Sequence, residues 1–276
     1  MKTAIIFGGT GFIGTFVAKS LIKNKIVERV YLADIELLEE KQFKFRKEFL
    51  KGYEIHEIRC DVRKGIEIEV EEKVDIVFNF AAVHREPGHL DEEYYETNIK
   101  GAENVCKWAE INSVETIVFT SSIAPYGTRE IEKTEETLPV PTSAYGGSKL
   151  CAEEIHKKWA IAGGGPAKKL IICRPGVVFG PTEGGNVSRL IKAVNKNYFL
   201  FMGNQQTKKA GIYVNELVNM MLWSVSYAKK SENNNIVLFN MVMQNSPTIE
   251  DYVKEVKKIN QINLPTPSIP YIFIII

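Results

Sequence analysis

A chain of 276 residues, 45% apolar, suits one large domain with a small appendage and a sizeable core. Its formal charge of +1 gives no bulk attraction to nucleic acid or to an anionic membrane, so neither is expected as a partner. Cys60, Cys106, Cys151 and Cys173 show no CxxC spacing, which points to free thiols in a reducing cytoplasm and to no metal site. The apolar start at residues 4–7 is too short for a signal peptide, and the tail at 271–276 is far below the ~20 residues of a membrane span.

Residues 4–7 read as a buried strand and 12–23 as a helix. A second strand is expected at 30–33, then a charged amphipathic helix at 37–51. Further strands fit 55–60, 76–80, 116–120 and 169–173, with helices at 92–112 and 144–160 and the charge run at 67–73 as a solvated face. This alternation predicts an α/β fold, a Rossmann-like doubly wound parallel sheet covered on both faces. Ligands of such sheets sit beyond the carboxyl ends of the strands. Past Arg174 the pattern loosens into Gly- and Pro-rich loops, with helices near 187–195, 216–228 and 249–259, and Gly163 to Pro166 is a further loop. The expected division is therefore 1–174 for the nucleotide-binding domain and 175–276 for a small substrate-binding lobe, either minimal or truncated.

Gly8-Gly9-Thr10-Gly11-Phe12-Ile13-Gly14 directly follows the first strand and opens the first helix. Glycines there allow a tight turn and a close approach to a pyrophosphate, and the helix N-terminus offers N–H groups to the anion. Gly8, Gly11, Phe12, Ile13 and Gly14 are thus the candidate cofactor loop. Asp34 ends the second strand, where a carboxylate bonds ribose hydroxyls and repels a 2′-phosphate, favouring NAD; Arg29 is the residue that could assist NADP instead. Asp61 and Val62 either meet the adenine or, for the aspartate, cap a helix. Phe80-Ala81-Ala82 ends the fourth strand with small residues that let the backbone lie close to a dinucleotide.

Tyr145 and Lys149 stand at i and i+4, on one face of a helix. A neighbouring ammonium, joined by a cationic oxidised nicotinamide, favours phenolate and is expected to lower the tyrosine's pKa towards a useful range. Ser122, just past the strand at 116–120, adds a hydroxyl donor for a substrate oxygen. The cluster His84-Arg85-Glu86-Pro87-Gly88-His89 beside the fourth strand reads equally as a phosphate or sugar contact through His84 and Arg85 and as a polar loop.

With GGTGFIG at 8–14, NFAAV at 79–83, TSSIAPYG at 120–127, YGGSK at 145–149 and RPGVVFGP at 174–181, the chain resembles the extended short-chain dehydrogenases, specifically the NAD-dependent nucleotide-sugar epimerases and dehydratases. The resemblance implies Tyr145 as acid/base, Lys149 as its partner and Ser122 as the hydroxyl residue. It further implies Asn98 in the lysine's water network, Pro175 and Val178 beside the nicotinamide, and Asn186 and Lys209 on the substrate diphosphate. A cytoplasmic homodimer serving polysaccharide biosynthesis is implied too, with Val105, Trp108, Ile155 and Trp159 as the apolar face that pairs two copies. Family dehydratases carry an acid just after the catalytic hydroxyl residue. Ile123 and Ala124 stand there, which argues for a C4 epimerase. A ketosugar reductase using the same residues is the main alternative, and a silent dinucleotide sensor the second.

Overall fold

The computed structural model describes residues 2–40, 44–86, 88–129, 131–162, 168–231 and 234–269. Pro87, the loop at 163–166 and the tail at 271–276 lie outside the described residues.

In chain order the first elements are β1 (Thr3–Phe7), α1 (Phe12–Lys23), β2 (Arg29–Asp34), α2 (Phe45–Phe49), β3 (Ile55–Arg59), β4 (Ile76–Asn79) and α3 (Asp91–Ile111). Next come β5 (Thr116–Thr120), a 3-10 turn (Ala124–Tyr126), α4 (Ala144–Ile161), β6 (Lys169–Pro175), β7 (Val177–Phe179) and α5 (Asn186–Asn195). The last are β8 (Phe201–Met202), β9 (Gly211–Tyr213), α6 (Val214–Lys230), β10 (Ile236–Met241), α7 (Ile249–Ile259) and β11 (Ser268–Ile269).

Seven strands form one parallel sheet in the order β10-β6-β5-β4-β1-β2-β3. β1 and β4 are neighbours at its centre although β2 and β3 separate them in sequence. The chain therefore winds outward in one direction, returns, and winds outward in the other. The cleft at that switch is where such sheets hold ligands. The central strands are apolar on both faces, as parallel strands with helices on each side must be.

On one face, Ile5, Val77, Ile117, Leu170 and Ile172 pack with Val105, Trp108, Ala152 and Trp159 from α3 and α4. Phe7 and Trp108 meet edge to face at 5.6 Å between centroids. This corrects the expected pairing face. Val105, Trp108 and Trp159 are buried in the chain's own core and Ile155 packs against it, because the α3–α4 stripe faces the sheet.

The expected helix at 37–51 is also corrected, since among the described residues of that stretch only Phe45–Phe49 is helical. Leu37 and Glu40 instead close a turn, and the Leu38 N–H donates to Glu57 Oε2 at 2.6 Å. The bond to Glu57 ties this turn to β3. In the charge run, Glu67, Glu69 and Glu71 are exposed while Ile68 and Val70, like Ile66 before them, pack on the core.

The chain divides into two compact units, 1–175 with 215–241, and 176–214 with 242–276. The expected change at 174–175 meets the first crossing, but α6 and β10 return to the sheet unit. The second unit holds the parallel pairs β7–β9 and β8–β11, with α5 and α7 around a small core of Val194, Phe201 and Val253.

Candidate active site

β1 ends at Phe7, and Gly8 turns the chain with φ +74°. A Cβ on Gly8 would stand 2.7 Å from Ala81 N and 2.8 Å from Phe80 C. The expected small-residue end of β4 is thus the wall that Gly8 touches, and only glycine fits both the conformation and the contact. Gly11 is the N-cap of α1 and brings no side-chain cap, so the first-turn N–H groups of Phe12, Ile13 and Gly14 keep their anion-binding capacity.

Asp34 ends β2 beside this turn, accepting from Thr10 N at 3.2 Å and from Ile35 N at 2.8 Å. Arg46, buried, donates to Thr10 O at 3.2 Å and faces Asp34; burial pushes its pKa down while the carboxylate opposes that shift. Arg29 lies at the other end of β2, paired with Glu54 and Glu72, so it is corrected out of the cofactor region. Asp61 caps no helix: no helix follows it, and it accepts from Arg63 N, Nε and Nη2, which holds its pKa below the usual range. Asp61 lines a shallow cavity of about 450 Å³ with Ile58, Cys60 and Ile66, while Val62 is buried against Gly101. A loop without side-chain bulk, a bare helix N-terminus and a carboxylate at the ribose position together fit a dinucleotide.

The second half of the site grows from β5 and α4. Ser121 and Ser122 follow β5 and lead into the 3-10 turn, and the Ser122 Oγ accepts from Ala124 N at 3.1 Å. Ser143 caps α4 by accepting from Gly146 N at 3.2 Å, which places Tyr145 in the first turn. A Cβ on Gly146 would stand 2.7 Å from Ala124 O, so this glycine brings the phenol's turn against the hydroxyl's turn. The Ser122 hydroxyl lies on the Tyr145 phenol's side of this corner and favours its ionised form. Lys149, one turn on, is 3% exposed, with Nζ over the Phe119 ring at 4.7 Å.

Among the chain's own groups burial dominates, and the lowering expected from Lys149 together with an oxidised nicotinamide does not come from the lysine alone. Tyr145 is pushed up to about 12 by burial, with the Ser122 hydroxyl opposing and Glu86 and Tyr94 adding to the rise. Lys149 is pushed down to about 7 by burial, with Glu153 opposing. Low dielectric favours the neutral form of each.

Asn98 is held by Val83, accepting from its N–H at 2.9 Å and donating to its carbonyl at 3.1 Å, and donates to Ser148 Oγ at 2.9 Å. It ties the end of β4 to α4. Tyr94 stands 6.0 Å from the Tyr145 ring and donates to Arg85 O at 2.5 Å, strapping the segment after β4 down beside the phenol. The His84 and Arg85 side chains are exposed. The His84 pKa is lowered by crowding protein atoms and by Lys149, which places its ring near the lysine.

Pro175 ends β6 and accepts from Ile123 N at 3.1 Å. Val178, Asn186 and Lys209 belong to the second unit: Val178 in β7, Asn186 as the first residue of α5 and Lys209 bonded through its N–H to Pro247 O at 3.0 Å.

The sequence model of the NAD dependent epimerase/dehydratase family matches residues 4–238. The chain belongs to that family. Among curated relatives, it is 27% identical over 97% of its length to an N-acetyl-alpha-D-glucosaminyl-diphospho-ditrans,octacis-undecaprenol 4-epimerase of Escherichia coli O157:H7, covering 75% of that protein. It is 26% identical to a UDP-glucose 4-epimerase of Vibrio cholerae, over 83% of this chain and 68% of that protein. Among solved structures, a UDP-galactose 4-epimerase superposes with TM-score 0.79 at 22% identity, over 97% of this chain and 86% of that one. A UDP-glucuronic acid 4-epimerase from Bacillus cereus with NAD reaches 0.81 at 19%, over 97% and 87%. These structures share the fold.

The sequence reading missed several residues of this NAD-dependent family member's site. Glu153, Arg174 and Ser121 form a buried cluster beneath Lys149, and Arg46 lies beneath the glycine loop. One signal was present, because Glu153 continues the four-residue spacing from Tyr145 through Lys149. Burial pushes the Cys60 thiol up to about 11 and Cys106 to about 12, so both stay protonated.

Proposed function

We propose that the chain is a nucleotide-sugar 4-epimerase. The carrying observation is that the turns bearing Ser122 and Tyr145 meet in one corner where Ile123 and Ala124 supply no acid. Tyr145 takes the proton of the C4 hydroxyl, Ser122 donates to the same oxygen, and Lys149 stabilises the phenolate. NAD, when bound, supplies the hydride acceptor. Gly8, Gly11, Phe12, Ile13 and Gly14 hold its pyrophosphate, Asp34 its ribose, Asp61 and Val62 its adenine. Phe80, Ala81 and Ala82 wall the cleft, Asn98, Tyr145 and Lys149 complete it, and Pro175 and Val178 meet the nicotinamide.

The second unit is the substrate lobe, with Asn186 and Lys209 on the diphosphate and His84 and Arg85 on the sugar side. The same reading makes the protein a cytoplasmic homodimer of polysaccharide biosynthesis; its support is the family's habit, not an observed interface.

The test is conversion of a UDP-hexose without added cofactor, followed by C4 configuration and mass. Exchange at C4 with unchanged mass is expected. Loss of one water would mean a dehydratase, and stoichiometric consumption of reduced cofactor a reductase. One relative acts on a polyprenol-linked sugar diphosphate, so a polyprenyl-diphospho-N-acetylhexosamine belongs beside the UDP-sugars in that assay.

A further inference from the structure

Three donors converge on one carboxylate beneath the proton-transfer corner. Glu153, fully buried, lies one turn beyond Lys149 on α4. Its Oε1 accepts from Ser121 Oγ at 2.5 Å and from Arg174 Nε at 2.8 Å, and its Oε2 from Arg174 Nη2 at 2.6 Å. Ser121 immediately precedes Ser122, and its N–H donates to Cys173 O at 2.7 Å. Arg174 immediately precedes Pro175 and lies over the Tyr126 ring at 4.7 Å, while the Tyr126 hydroxyl donates to Asn240 Oδ1 at 2.9 Å. The ends of β5, β6 and β10 and the middle of α4 are thus joined through this one group.

A buried ion pair is poor evidence of stability, because desolvating two charges costs about what their attraction returns. An apolar pair of the same volume would hold these elements as well. What an apolar pair would not provide is a negative charge facing Lys149. Around the lysine stand Tyr145, Glu153 and His156 on α4, His84 after β4 and the Phe119 ring on β5; Arg174 on β6 faces Glu153, and Glu86 faces the phenol. Both histidines are held below their usual pKa and are neutral. Among these described groups Glu153 is the anion that Lys149 faces.

We propose that Glu153 is a positioning residue for proton transfer: through Ser121 and Arg174 its carboxylate sets Ser122 against α4, and its charge favours the ammonium form of Lys149. This rests on the reading of Tyr145 and Lys149 as the proton-transfer pair.

The experiment compares the NAD-loaded full chain with Glu153→Gln and Glu153→Asp, measuring kcat against pH on a UDP-hexose and, separately, thermal stability against pH. Losing the anion lowers the lysine's pKa further, so in Glu153→Gln the basic limb of kcat should move at least about one unit to lower pH. Glu153→Asp keeps the charge, so its limb stays in place even where the rate falls. The stability arm is independent of turnover. Lys149 titrates at about 7 in the fold against 10.5 ordinarily, so between those values the unfolded chain holds the extra proton and stability rises with pH. In Glu153→Gln that rise should begin at lower pH.

If Glu153→Gln alone does not fold, Glu153→Gln/Arg174→Met removes the carboxylate without stranding the guanidinium, and its limb should move the same way. Parallel kcat profiles, with only a uniform loss of rate, would overturn the proposal. A wild-type protein that exchanges no C4 configuration would instead overturn the epimerase reading, and the stability arm would still report on Glu153.

Discussion

Around the glycine loop, β1 and β4 come together because Gly8 has no side chain, and the groups on offer to a ligand are mostly backbone N–H. Around α4 the working atoms are side chains, and what fixes them is a buried carboxylate with its guanidinium. The first region tolerates no added atom, yet it holds no group that titrates near neutral pH. The second is built on a buried ion pair, so removing a charge there should matter more than a change of shape that preserves it. One half of the site is governed by sterics and the other by dielectric.

Four substitutions test that contrast, in order of falling effect. Tyr145→Phe keeps the ring packing and removes the transferable proton, so turnover should drop by ~10²–10⁴-fold while NAD stays bound. Near-normal turnover would move the proton to another group, with His84 the neighbour to examine. Gly8→Ala places a methyl group 2.7 Å from a backbone nitrogen at φ +74°. It should cost about 1–3 kcal/mol of stability together with cofactor affinity, at every pH, as read by thermal melts and NAD titration. An alanine variant with wild-type melting would mean that the wall at Ala81 gives way.

Asp34→Asn should shift the ratio of NAD to NADP binding by about tenfold towards NADP, roughly 1.4 kcal/mol, with no change in the pH profile of turnover. Unchanged preference on titrating both cofactors would remove Asp34 from the ribose. The smallest effect concerns His156, buried, bonded to Asn79 and Ala152 O and stacked on Phe119. Burial pushes its pKa from 6.5 to about 4, so as pH falls through that window the unfolded chain takes up the proton first and stability is lost. His156→Gln should flatten the acid side of a plot of melting temperature against pH, and identical slopes would show that other groups drive the acid loss.

What was legible in the sequence is what depends on near neighbours. The glycine loop, Asp34 after its strand, and the Tyr145–Lys149 spacing are local patterns, and the structure brings Tyr145 and Ser122 together. Glu153 and Arg174 are 21 residues apart, and their pairing exists only because α4 lies beside the end of β6. The Val105 and Trp108 stripe was legible as an apolar face but not as to what covers it, and the sheet does. The helix expected at 37–51 begins instead as a turn tied to Glu57 on β3, a non-local bond that periodicity does not register. β10 is a different kind of miss: Ile236 to Phe239 is as apolar as the earlier strands, but the Gly- and Pro-rich loops past Arg174 break the strand–helix alternation well before it.

The adjacency of β1 and β4 also has a consequence in time. A ribosome delivers the glycine loop before β2, β3 and β4, yet the wall that Gly8 rests against is not made until those strands have followed. A nascent chain ending before β4 has the anion-binding turn without the opposite side of its cleft. The pairing that completes it is a non-local one, the slow kind in folding. Dinucleotide capture is therefore a late event in the life of the chain, and retention of the nucleotide reports that the two halves of the sheet have closed around the switch point.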